Sequence, residues 1–83
     1  MPSVMLMKLI SFVQLNYTRP GLPNFSPELL EAWKNQVKEK GFICCTNAVR
    51  AFTSLTHHYV HNINLYVWLK QLRNLALHCE LGL

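Results

Sequence analysis

The stretch SPELLEAWKNQVKEKG, residues 26 to 41, constrains the fold more than any other part of the chain. Ser26 stands where a helix N-cap belongs, Pro27 suits the first helical position, and Gly41 suits the left-handed residue that ends a helix. Glu28 and Glu31 lie near the positive end of the helix dipole, and Lys38 and Lys40 near its negative end. At about 100° per residue, Leu29, Leu30, Trp33 and Val37 form one apolar stripe. A surface helix over 27 to 40 with one buried face follows, and its charges read as a solvated face.

Upstream, RPGLPNF brackets Gly21 with Pro20 and Pro23 and stops whatever precedes it. Lys8, Ser11, Gln14 and Thr18 recur at helical spacing and leave Leu6, Leu9, Ile10, Val13 and Tyr17 opposite, which predicts an amphipathic helix over 4 to 18. Several β-formers in that segment also permit a strand.

After Gly41 no Gly or Pro occurs until Gly82. Thr46 is placed to cap a third helix, over 46 to 61, with Val49, Phe52, Leu55, Tyr59 and Val60 on its apolar side. In NINLYVWL, Ile63, Leu65, Val67 and Leu69 alternate at the strand period. Further on, however, Leu65, Trp68, Leu69, Leu72, Leu75, Ala76 and Cys79 gather on one helical face, with Lys70, Gln71, Arg73, Asn74 and His78 on the other. The periodicity predicts a fourth helix over 63 to 80, with a bend between His61 and Asn64. The fold class is therefore all-α, a bundle of three to four short helices. Its 83 residues suffice for a single domain over 1 to 83, with 1 to 25 as a segment that could be loosely attached.

Chemistry is sparse. CCTNAVRAFTSLTHHYVH, residues 44 to 61, carries two of the three cysteines and three of the four histidines. Cys44, His57 and His61 reproduce the second half of a Cys2His2 zinc-finger spacing. Gly41 and Glu39 occupy the positions where the first cysteine would stand, and Ala48 and Ser54 stand where the finger needs its core residues. On one continuous helix, moreover, the histidines would face away from the cysteines. No structural metal and no cofactor are expected; His57 and His61 remain as a two-ligand surface pair, and Cys44 and Cys45 read as small core residues. An odd cysteine count with two adjacent cysteines argues against a disulfide framework.

With four glutamates and no aspartate, paired-carboxylate catalysis has little material, and three glycines supply no phosphate cradle. The chain is not expected to be an enzyme. Its formal charge of +4 comes from few acids rather than many bases. Lys34 and Lys38 stand among glutamates, Arg50 stands alone, and Lys70 and Arg73 make only a pair, so nucleic-acid binding is not favoured. The N-terminal apolar run holds Lys8 within it and lacks a small-residue cleavage pattern, so a signal peptide is not expected and an intracellular location is the default. Between Ala51 and Leu69 three histidines and two asparagines argue against a membrane span.

The composition, rich in Leu, Asn, His and Cys, resembles that of a young or alternative reading frame without a defined biochemical activity. What remains is apolar surface. Leu65, Val67, Trp68, Leu69, Leu72 and Leu77 on the last helix, with the N-terminal segment, are the candidate interaction residues. The expected partner is another protein or a second copy of the chain, met through apolar helix faces. The alternatives are a peripheral protein that lays residues 4 to 18 on a membrane surface, and a zinc- or nucleic-acid-binding module.

Overall fold

The structure, a computed structural model, describes the backbone of residues 3 to 42 and 44 to 81, and the side chains of that range up to residue 78. Four helices follow in order: α1, Val4–Asn16; α2, Pro27–Lys40; α3, Cys45–Leu55; and α4, Ile63–Leu81. A 3-10 turn, His57–Tyr59, joins the last two, and there is no strand among the described residues. The all-α expectation holds. α3 packs against each of the other three helices, and α1 also touches α4.

Several helix boundaries have a local cause. The Ser3 hydroxyl accepts from the Leu6 amide at 3.1 Å and caps α1. Gly41 adopts φ 60° and closes α2 in the left-handed region, as its type and position predict. Ser26 does hold the N-cap position of α2, yet its side chain makes no capping bond. Its carbonyl is engaged instead, accepting from the Leu29 amide at 3.1 Å and from the Tyr17 hydroxyl at 2.6 Å. The Leu29 amide, which the Ser26 hydroxyl was expected to cap, is thus satisfied by the Ser26 carbonyl instead.

The third helix departs from its predicted span. Cys44, not Thr46, is the N-cap residue, and the helix stops at Leu55 rather than running to 61. Thr56, buried, turns both its amide and its hydroxyl onto the Phe52 carbonyl, at 3.1 and 2.9 Å, and the chain tightens into the 3-10 turn. Val60, expected on the apolar side, is consequently exposed. Asn62 then restarts the helix, its side-chain oxygen accepting from the Leu65 amide at 2.9 Å. The break thus begins at Thr56, ahead of the bend expected between His61 and Asn64, and only its end at Asn62 falls within that span.

The core collects the predicted stripes. Leu6, Leu9, Val13 and Tyr17 of the first segment meet Trp33 and Val37 of α2, Cys45, Ala48, Val49 and Phe52 of α3, and Leu65, Trp68, Leu72 and Ala76 of α4. Phe52 lies at the centre, with edge contacts to Trp33 at 5.2 Å, Trp68 at 5.7 Å and Phe25 at 6.2 Å. The Trp33 indole N–H donates to the Ala48 carbonyl at 2.8 Å and pins α2 to α3. Cys79 and Glu80 of the predicted last helix lie outside the residues whose side chains are described.

Between α1 and α2 the chain turns through residues 17 to 26. Gly21 has φ 93°, and its carbonyl accepts from the Asn64 carboxamide at 3.1 Å, so the turn is fastened to α4. The conformation calls for glycine, and a Cβ at Gly21 would press on that same Asn64 nitrogen at 3.2 Å.

Burial pushes the Tyr17 phenol up to about 12. Below pH 10 the phenol is protonated whether the chain is folded or not. Between 10 and 12 only the unfolded chain releases the proton, so stability should fall as pH rises through that window. In denaturant titrations from pH 8 to 12, Tyr17→Phe should flatten this fall and cost about 1 kcal/mol at neutral pH through the lost hydrogen bond.

Candidate functional site

The candidate interaction residues of α4 divide by burial. Leu65, Trp68 and Leu72 are core, Leu69 is half-buried, and Val67 and Leu77 are exposed. Leu77 shares an outer stripe with Ile63 and Tyr66, interrupted by Lys70, whose ammonium lies 5.0 Å from the Tyr66 ring centre. Val67 stands about 80° around the helix from Leu77, at about 100° per residue, beside Gln71. The two therefore present different surfaces.

α1 is apolar on both sides. While Leu6, Leu9 and Val13 are buried, Val4, Met7, Phe12 and Leu15 are exposed, Leu15 at 82%. Lys8 is its single formal charge. A helix of this kind ordinarily lies inside a larger core or against a second surface. Among the described residues no helix is long and apolar enough to cross a membrane.

The histidine-rich stretch does not assemble the half finger. Cys44 precedes α3 and His57 follows it, so the 11-residue helix stands between them. At about 1.5 Å per residue that is roughly 16 Å, whereas zinc ligands lie about 2 Å from their ion. The obstacle is thus opposite ends of a helix rather than opposite faces of a longer one. His57 sits in the 3-10 turn and His61 beyond it, both exposed, so the pair lacks the one-turn α-helical spacing expected of it. No group of three or more His, Cys, Asp or Glu able to hold a metal occurs among the described residues.

Two hollows join residues that the sequence keeps apart. Arg50 of α3 and Arg73 of α4 line one groove of about 380 Å³ with Thr46, Val49, Thr53 and Leu77. A second, of about 130 Å³, lies between the turn at Arg19, Pro20 and Leu22 and the α4 residues Asn64, Val67, Trp68 and Gln71. Neither pairing has a signal in the linear sequence, because each depends on how α4 crosses the rest of the molecule.

Over 34 residues, 41% of this chain, the sequence is 71% identical to zinc finger protein 512B of Homo sapiens, and the match covers 4% of that protein. Over 34 residues it is 53% identical to zinc finger protein 512 of Bos taurus and of Homo sapiens, covering 6% of each. The chain thus spans 4% to 6% of the length of these relatives. No family model and no solved structure matches it.

Replacing His57 and His61 together by Asn should change stability by less than about 0.5 kcal/mol, since both side chains face solvent. Treatment with EDTA should leave the helical circular-dichroism signal intact. Unfolding on chelation, or a stoichiometric metal surviving purification, would contradict the separation of Cys44 from His57 by the length of α3.

Proposed function

We propose that the chain is a helical interaction module that acts by apolar contact with another protein or with a second copy of itself. The observation that carries this is the outer face of α1, where Val4, Met7, Phe12 and Leu15 are exposed on a helix whose opposite face already fills the core. Burying such a face is worth about 25 cal/mol per Å². Leu77, Tyr66 and Ile63 on α4 extend the apolar surface available.

A second reading, a zinc- or nucleic-acid-binding module, is favoured by the 34-residue stretch that is similar to proteins named as zinc finger proteins, and by the two arginines of the groove between α3 and α4. Two guanidiniums are few for a phosphate backbone, whose neutralisation normally takes several cations.

Sedimentation of the wild type over micromolar concentrations separates these readings, together with affinity capture of the full chain from cells. Association or a specific partner should be present and should be lost in Leu15→Glu and Leu77→Glu, with helicity unchanged. A monomer that captures nothing contradicts the proposal. In that case, co-sedimentation with lipid vesicles would mark α1 as a membrane-surface helix. Salt-sensitive binding to an oligonucleotide, lost in Arg50→Gln, would favour the second reading.

A further inference from the structure

On the outer face of α1 the central stripe runs Val4, Lys8, Ser11, Leu15, all exposed, with Met5 and Phe12 along one flank and Met7 along the other. At about 100° per residue, all four lie within about 30° of the middle of that face. The spacings of four, three and four residues are those of a helix–helix seam, and they read the same from either end. Among the described residues neither the Lys8 ammonium nor the Ser11 hydroxyl is engaged in a hydrogen bond or ion pair.

We propose that a second copy of this chain covers the face, α1 against α1 in antiparallel order about a two-fold axis. The inference rests on the protein-contact reading, and it names the partner and the register. Because the spacing is palindromic, turning one helix end for end lays the stripe on itself: Val4 meets the partner subunit's Leu15 and Lys8 meets the partner subunit's Ser11, each pair occurring twice. A hydroxyl accepts from an ammonium, so the single charge of α1 gains a partner. Parallel pairing would instead set Lys8 against the partner subunit's Lys8. On the flank, Phe12 comes beside the partner subunit's Met5, a ring against a thioether. A lipid surface fits this face less well, because an interfacial helix keeps its charges on the side away from the acyl chains, whereas Lys8 and Ser11 stand in the middle of it. Val4, Met5, Met7, Phe12 and Leu15 expose on the order of 500 Å² per copy, so a pair buries on the order of 1,000 Å², the low end for a specific interface. A reversible dimer is therefore the expected form.

The test mixes full chain labelled with carbon-13 with unlabelled chain at about 0.5 mM and records isotope-filtered nuclear Overhauser contacts, beside sedimentation equilibrium over about 5–500 μM. Within one copy Val4 and Leu15 lie roughly 16 Å apart along α1, so a contact between their methyl groups arises only between copies. The wild type should sediment as a monomer–dimer equilibrium and show that contact. Leu15→Glu should abolish both, and Ser11→Lys, which sets a lysine twice against the partner subunit's Lys8, should weaken dimerisation at least tenfold. Both positions are exposed, so far-ultraviolet circular dichroism should be unchanged. A dimer without the Val4–Leu15 contact, or one indifferent to Ser11→Lys, overturns the proposal. So does a chain that stays monomeric throughout. In that event, co-sedimentation with vesicles of phosphatidylcholine and phosphatidylserine, strengthened by Ser11→Lys, would give the face to lipid. Capture of another protein, lost in Leu15→Glu, would overturn the second copy while leaving the wider protein-contact reading standing. Only a monomer that captures nothing removes both.

Discussion

The packing of Phe52 is the contact on which the other placements depend. One ring takes the edge or face of Trp33 from α2, Trp68 from α4 and Phe25 from the turn, and it does so from the C-terminal half of a helix of 11 residues. Aromatic rings have few rotatable bonds, so three such contacts fix the positions of three elements relative to α3 at small entropic cost. The Trp33 bond to the Ala48 carbonyl then sets the height of α2 along α3, because an indole has only one donor and Ala48 is one turn before Phe52. In a chain of 83 residues with a modest core, this cluster is what the remaining apolar residues pack onto.

The outward surfaces follow from that arrangement. Trp68 turned inward to Phe52 places Leu65, Leu72 and Ala76 in the core and puts Val67 and Leu77 outside on separate faces. Tyr17, stacked on Phe25 at 5.0 Å and bonded to the Ser26 carbonyl, draws the end of α1 into the same cluster. α1 is then seated by Leu6, Leu9 and Val13, and Val4, Met7, Phe12 and Leu15 have no place left inside. The same closure of the turn onto α4, through Gly21 and Asn64, forms the cleft beside Trp68. The exposed apolar face and the cleft beside Trp68 are both consequences of how a small core is filled.

The helix at 27 to 40 is legible in the sequence because cap position, proline, dipole charges and glycine stop all agree. The stripes of α1 and α4 are equally legible, since burial of Leu6, Leu9, Leu65 and Leu72 follows helical periodicity alone. The end of α3 is not, because it is decided by Thr56 bonding back to Phe52, a choice between two backbone arrangements that leaves little periodic trace. Asn62 in front of Ile63 was a readable cap signal for the restart. For the site, the exposed positions Val67 and Leu77 follow from the wheel. The approach of Arg19 to Trp68 and of Arg50 to Arg73 is set by tertiary crossing and has no local cause.

Thermal unfolding of Phe52→Ala, followed at once by far-ultraviolet and near-ultraviolet circular dichroism, tests the central role of this ring most directly. Truncating a fully buried Phe should cost about 3–5 kcal/mol. Because Trp33 and Trp68 share that ring, their near-ultraviolet signals should collapse together with the helicity of all four helices. A variant that keeps its midpoint, or one in which a single tryptophan loses its signal while the other melts as in the wild type, would show that Phe52 does not hold these elements together.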